Sequence, residues 1–317
     1  MNLTRRNLIQ TAGFALAAHL VPRSAFAFQT AAAPTEMLTR MRQQAATTEI
    51  KVTKLTDNLF FLQGTGGNQI AQIGPDGKLL IDAGYSTAVP HLLEALAKLD
   101  SHPLRMLIDT HWHFDHTDGN AALHEAGAFI VAHKNTRTRL STPQDLKAFN
   151  LHFEPSPVAA LPQQTFDAAQ TLYFNNDELS LVHLAPAHTD TDIYIAFSKA
   201  NVIHTGDIWF NGVYPFIDAS SGGSLRGVIE GANRILALAD AQTKIIPGHG
   251  PIGDRVALMQ YRDMLSTVAD KVGSMKVAGK TLNEVVAAKP TASLDSIWGK
   301  GAFKPDAFAA VAYNTLP

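Results

Sequence analysis

The segment Thr110-His111-Trp112-His113-Phe114-Asp115-His116 packs four candidate metal ligands into six residues, and it constrains this chain more than any other feature. With 13 histidines in 317 residues, an H-x-H-x-D-H match arises by chance in about one such chain in a thousand. In an extended segment side chains alternate faces, so His111 and His113 point the same way and can grip one ion. Asp115 and His116 come just past a turn and can reach a second ion. A pair of ions held this way demands further ligands, so the fold must bring distant loops to this one. The competing reading of the same residues is a polar loop with surface histidines.

A formal charge of -2 and 46% hydrophobic residues leave ample apolar material for a core and no basic excess of the kind nucleic-acid binding needs. The N-terminus differs from the rest. Thr4-Arg5-Arg6-Asn7-Leu8-Ile9-Gln10 is a twin-arginine pattern, a short apolar run follows over 12–20, and Ala25-Phe26-Ala27 is a small-x-small cleavage site. The expectation is a signal for the Tat export machinery, cut after Ala27, with a periplasmic mature protein. The apolar run is too short to span ~30 Å of hydrocarbon, so no stable membrane insertion is expected after processing. Cleavage removes three arginines and no acid, leaving 23 basic against 28 acidic residues, which disfavours a broad site for an anionic polymer. With no cysteine, no disulfide staples the exported fold, and any metal site must use nitrogen and oxygen ligands.

After a Pro/Ala/Thr-rich spacer over 28–48, apolar runs at 50–55, 59–63, 69–73 and 79–81 are separated by Gly64-Thr65-Gly66-Gly67 and Gly74-Pro75-Asp76-Gly77, a meander of β-strands. Val89, Leu92, Leu93, Leu96 and Leu99 then recur at helical spacing behind Pro90. Residues 104–108 read as a buried strand with the histidine motif at its C-terminal end, where α/β folds place their chemistry. A helix over 119–126, a strand over 129–132 and a helix from Asn135 continue the alternation. Residues 142–169, with Pro143, Pro155, Pro157 and Pro162, lack periodicity and read as a long loop bordering the substrate site or as a passive connection. The second half repeats strands at 172–174, 179–184, 193–197 and 201–204, a helix marked by Leu225, Val228, Ala232 and Ile235, and a strand at 243–246. Two β-rich halves with helices outside predict an α/β fold, a four-layer αββα sandwich over 49–253. Residues 254–317 read as a helical extension packed on it, with a capping box at Thr281-Leu282-Asn283-Glu284.

Three more loops offer ligands directly after predicted strands: Ala187-His188-Thr189-Asp190, Thr205-Gly206-Asp207 and Pro247-Gly248-His249-Gly250. In order and spacing the chain resembles the metallo-β-lactamase superfamily over about residues 50–250. The resemblance implies that His111, His113 and His188 bind one ion, that Asp115, His116 and His249 bind the second, and that Asp207 bridges both. It also implies the αββα fold and makes Asp82, in Leu80-Ile81-Asp82-Ala83-Gly84, a carboxylate that orients a ligand histidine from behind; alone, Asp82 reads as a strand-end turn residue.

The ligand set suits two Zn²⁺ per chain, with Fe or Mn also compatible. Each histidine must be neutral to coordinate, so activity and metal content are expected to fall together in acid. Asp115 is the expected catalytic group, orienting the nucleophile or moving its proton. Glutamate replaces histidine at the position of His113 in the flavin-linked di-iron branch of the superfamily, so this chain points to hydrolysis of an ester, lactone, thioester or amide of a small-molecule substrate. β-Lactam hydrolysis is the first alternative: a periplasmic location favours it, while the lack of cysteine and the bridging Asp207 disfavour it. Phe210 stands where the lactonases of the group resemble a tyrosine pattern, with Tyr214 further on. A mononuclear iron oxygenase of sulfur compounds and a metal-binding protein without turnover are further alternatives. Among other residues, His91, His102 and His124 read as surface residues, while His133, His183 and His204 lie near the proposed loops. Asp190 and Asp192 read as turn carboxylates or partners of the site, and Trp112 and Phe114 as packing before substrate contact.

Overall fold

The computed structural model describes residues 34–184 and 186–316. The export signal expected over 1–27 lies outside the described residues, as does the start of the spacer. The rest of that spacer is not extended chain: Pro34–Ala45 forms a helix, α1. Arg42 of α1 donates from Nε to Asp118 at 3.0 Å, and Thr87 donates from its hydroxyl to the Arg42 carbonyl at 2.5 Å. Its residues favour a helix, but a helix this short is marginal in water by itself, so its docking contacts supply the remaining stability.

The meander appears as β1 (Lys51–Lys54), β2 (Leu59–Gln63), β3 (Gln69–Gln72) and β4 (Lys78–Ile81), each pairing antiparallel with the next. Helix α2 (Val89–Leu99), with Pro90 in its first turn, crosses over to β5 (Leu104–Ile108), which runs parallel to β4. One-turn α3 (Phe114–Thr117) and α4 (Asn120–Glu125) lead to β6 (Phe129–His133), parallel to β5. Beyond α5 (Lys134–Leu140), residues 142–169 carry more structure than a loop. They hold the hairpin β7 (Gln144–Leu146) and β8 (Leu151–Phe153), and then β9 (Gln164–Phe166), which joins the first sheet parallel to β6. Contact with the rest of the fold overrides the weak local pattern here: Leu146 and Leu151 are buried against Trp112.

The second half comprises β10 (Ala169–Phe174), β11 (Asp177–His183), β12 (Ile193–Phe197) and β13 (Val202–His204), antiparallel in succession. Helix α6 (Leu225–Leu238) then crosses to β14 (Lys244–Ile246), parallel to β13. Among the described residues the two large sheets run β1-β2-β3-β4-β5-β6-β9 and β10-β11-β12-β13-β14.

Alternation within strands sorts the layers. Leu59, Phe61, Leu79, Ile81 and Ile108 of the first sheet meet Leu179, Leu181, Ile193, Ile195 and Phe197 of the second in one buried cluster. The opposite faces carry Leu62, Leu80 and Leu107 against Leu92 and Leu96 of α2, and Tyr194, Ile203 and Ile245 against Val228, Ala232 and Ile235 of α6. This is an αββα sandwich. The C-terminal helices α7 (Arg255–Val277), α8 (Leu282–Ala287), α9 (Asp295–Trp298) and α10 (Pro305–Thr315) extend the α6 layer, with Tyr261, Leu265, Val268 and Phe308 buried in it. Helix α8 begins with the capping box read from Thr281 and Glu284.

Candidate metal centre

The site lies where the C-terminal ends of β4, β5, β13 and β14 meet. Strand β4 is followed directly by Asp82, whose φ of 62° puts it in the left-handed region that Asp tolerates better than most residues. This turn aims its carboxylate at the next loop: Thr110 donates to it from the backbone (2.7 Å) and the hydroxyl (2.8 Å), and His116 Nδ1 lies 2.7 Å from Asp82 Oδ2. The histidine segment is bent rather than extended, and α3 begins at Phe114. His111 and His113 nevertheless converge, because they use different atoms: His113 presents Nδ1, 2.8 Å from His188 Nε2, while His111 leaves Nε2 free.

Two groups of potential ligands result, His111, His113, His188 and Asp207 in one and Asp115, His116 and His249 in the other, with the ligand atoms of each group within 4.8 Å of one another. Asp207 lies between them. Its Oδ2 is 3.8 Å from His111 Nε2, 3.4 Å from His188 Nε2 and 3.4 Å from His249 Nε2, and its Oδ1 is 3.2 Å from His116 Nε2. Asp115 Oδ2 lies 3.3 Å from His249 Nε2 and 3.7 Å from His116 Nε2. All seven residues singled out by sequence as ligands therefore come together, and Asp82 stands behind one of them.

The donor set suits cations on several independent counts. Among the described residues, His111 Nε2 and Asp207 Oδ1 are buried without a hydrogen-bond partner, a condition that costs free energy unless something binds them. The rings are also held from behind. Thr110 gives its hydroxyl proton to Asp82, so at 3.0 Å it accepts from His111 Nδ1–H. His113 Nε2 lies 3.2 Å from Asp218 Oδ2, and His188 Nδ1 is 2.8 Å from the Phe216 carbonyl. With those nitrogens protonated, the inward ones carry lone pairs, the tautomers a metal requires. Glycines make room for the ligands: a Cβ at Gly248 would sit 1.9 Å from Asp207 Oδ1, and one at Gly67 would sit 2.1 Å from the His116 ring.

Charge follows the same division. Burial pulls His188 down to about 4, against the pull of Asp207, and burial followed by the His116 charge pulls His111 well below its ordinary range. For His249 burial acts the same way, but Asp207 and Asp115 outweigh it and push the imidazole up to about 9. Burial opposes ionisation of Asp115, yet His116 and His249 bring it down to about 2. Carboxylates ionised at this depth call for positive charge beside them, which protons on the outer histidines supply and metal cations would supply in their place.

Several supporting residues carry no sequence signal of their own. Asp218 holds His113 and is itself held by the hydroxyls of Ser220 and Ser221, and its carboxyl lies well below the usual range despite burial. Asn68 donates from its side chain to the carbonyls of Pro247 (2.9 Å) and Gly250 (2.8 Å), fastening the His249 loop to the first half of the fold. Asp109 is buried, accepts from Asn120 at 2.9 Å, and is driven well above its ordinary range by burial and by Asp82. Asp192 braces the His188 loop by accepting from Thr189, and Asp190 pairs with Arg139. His204 spans Asn68 and Gly206 beneath the site, His133 and His183 stack on each other away from the two ligand groups, and His91, His102 and His124 make local contacts. Trp112 is buried as packing, whereas Phe114 lines a cavity of about 450 Å³ that opens onto Asp115, Asp207 and His249. Phe210 lines it too and stacks on His249, while the Tyr214 hydroxyl turns away to Asp295 at 2.8 Å. Tyr85 also faces the cavity, and burial together with Asp115 and Asp118 keeps its phenol protonated.

The chain matches the metallo-beta-lactamase superfamily over residues 63–267. Among solved structures it is similar to a metallo-beta-lactamase from Pontibacter korlensis, at 18% identity and a TM-score of 0.57, covering 69% of this chain and 99% of that one. It is likewise similar to the DIM-1 metallo-beta-lactamase, at 18% identity and a TM-score of 0.55, covering 69% of this chain and 98% of that one. At that identity the structures speak for the fold, and close to a third of this chain lies outside the match. The family match itself spans well over half of the sequence: the chain belongs to the metallo-beta-lactamase superfamily of metal-dependent hydrolases.

Proposed function

We propose that the protein is a periplasmic, Tat-exported hydrolase that holds two Zn²⁺ ions and opens an ester, lactone, thioester or amide bond of a small molecule. The observation that carries this reading is the position of Asp207 between two otherwise complete ligand groups. Two cations bound there would supply a water acidified to near neutrality and would polarise the carbonyl under attack. His111, His113 and His188 would hold the first, His116, His249 and Asp115 the second. The residues of the chain do the rest. Asp115, with 19% of its side chain exposed toward the cavity and its carboxyl ionised at neutral pH, is placed to orient the attacking water and to take its proton. Asp218, Asp82 and Thr110 fix the imidazoles, so that little reorganisation is needed when substrate arrives.

A complete outer group favours two ions over a single-iron oxygenase. The twin-arginine pattern supports export, and among the described residues no helix is long and apolar enough to cross a membrane. The test is metal analysis of the mature protein with a panel of chromogenic lactam, lactone, thioester and phosphodiester substrates, using His113→Ala and Asp207→Ala as controls. Two zinc ions per chain and turnover lost in both variants are expected. One iron per chain with oxygen uptake would replace this reading, and preferred turnover of the lactam would move it to β-lactam hydrolysis.

A further inference from the structure

The cavity above the ligands is aromatic, and the chain completes it with segments outside the family match. Phe216 stacks on the His113 ring at 5.8 Å and meets Phe149 at 5.0 Å and Phe303 at 5.5 Å. Phe210 lies on the His249 ring at 5.0 Å, and Phe114 and Met41 complete the enclosure. These rings are only partly buried, so their remaining surface faces the cavity, an arrangement that soluble proteins keep for binding. Met41 comes from α1, and Phe303 from the turn between α9 and α10, both outside residues 63–267.

Among the described residues no lysine or arginine lines this cavity. Arg42 and Arg139, which line the neighbouring one, are committed to Asp118 and Asp190. Of the polar lining groups apart from the ligands, Asn211 donates its amide to the Pro251 carbonyl at 2.9 Å and Tyr214 is tied to Asp295, which leaves Tyr85. A carboxylate carried on the distal part of a substrate would lose its hydration here with no cation to receive it, whereas a hydrocarbon or aryl group would gain contact on every side.

We infer that the substrate brings an uncharged, apolar acyl or aryl group into this cavity, and that Phe303, supplied by the C-terminal extension, gives that group much of its apolar contact. The inference rests on the hydrolase reading for its substrate and on the cavity alone for its binding preference. The full mature chain, loaded with zinc, is therefore tested in two ways. Turnover is followed on 4-nitrophenyl esters from acetate to octanoate and on the ω-carboxylate analogue of the hexanoate. Binding is followed by calorimetry with octanamide and its ω-carboxylate analogue, neither of which needs to be turned over.

The expected result is a kcat/KM that rises about threefold per methylene until the cavity is full, with a negative heat-capacity change on octanamide binding. The ω-carboxylate partners should be on the order of tenfold worse in both assays. Phe303→Ala should flatten the chain-length dependence, and Phe303→Arg should narrow the tenfold gap. Met41→Ala, on the wall supplied by α1, gives a second reading of the slope should the Phe303 variants fold poorly. A flat chain-length profile in the unmodified protein, or equal handling of the charged and uncharged members of each pair, overturns the inference. Tight octanamide binding without turnover of any ester would sustain it and sink the hydrolase reading instead.

Discussion

The two ligand groups are built differently. His111 and His188 of the inner group have no exposed surface, and Asp207 and His113 show 4% each. All three inner imidazoles are gripped from behind by Thr110, Asp218 or the Phe216 carbonyl. In the outer group only His116 is sealed, while Asp115 is 19% and His249 28% exposed, both facing the cavity. The inner group thus belongs to the sandwich core, and the outer group opens onto the cavity. One sequence motif therefore faces two ways, with His111 and His113 turned into the fold and Asp115 turned toward the cavity. A cation in the inner group would accordingly be held more tightly than one in the outer group.

The sharpest way to break this contrast is to remove the residue both groups share. Asp207→Ala should strip metal from both positions and lower kcat/KM by roughly a thousandfold or more, whereas His249→Ala should leave about one equivalent of zinc in the inner group. Two equivalents retained by Asp207→Ala would show that the groups are independent. A finer probe reaches each group from behind. Asp218→Asn should weaken the inner ion and Asp82→Asn chiefly the outer one, through His116, with a smaller effect on the inner one through Thr110 and His111; each main effect should be about 10–100-fold, read as separate steps of a competitive chelator titration. If both variants shift chiefly the same step, the division into inner and outer is wrong.

Smaller still is the effect expected from crowding one group alone. A methyl at Gly67 would overlap the His116 ring, so Gly67→Ala should cost about 1–3 kcal/mol of stability and loosen the outer ion while the inner one stays. An unchanged outer affinity, measured beside a lowered denaturation midpoint, would mean that the ring moves without cost to its ligand role.

What could be read in advance divides along a similar line. The strands were legible because Leu79, Ile81, Ile193 and Ile195 alternate with residues of the opposite face, and the ligands because H-x-H-x-D-H is rare and the later loops follow strands in order. The helix over Pro34–Ala45 and the β7/β8 hairpin were not, since each depends on contacts with distant residues such as Asp118 and Trp112. Asp218 was hidden for the same reason. Asp218-Ala219-Ser220-Ser221 reads as an ordinary turn, and nothing local says that its carboxylate reaches a ring 105 positions earlier. The choice of Nδ1 by His113 was equally out of reach, because it follows from the bend after β5 and not from the spacing.

A third set of imidazoles lets acid effects on the frame be separated from those on the ligands. His133 and His183 stack with centroids 3.6 Å apart, and among the described residues no carboxylate accepts a hydrogen bond from either ring. Burial first, and then the His183 ring, pull His133 from its ordinary 6.5 down to about 4. Because the folded value lies below the unfolded one, the pair contributes its full stability above about pH 6.5 and loses it as pH falls toward 4, when the unfolded chain takes up protons that the folded one refuses. Partial solvent contact at His183 trims the loss to about 1–2 kcal/mol. His133→Asn keeps an acceptor for the start of α5, where His133 Nδ1 now receives the Asn135 amide, and removes the titration. Melting temperatures measured from pH 7 to pH 4 should therefore fall less steeply in this variant than in the unmodified protein, while metal content falls equally in both. Parallel melting curves would assign the whole acid response to the ligand groups.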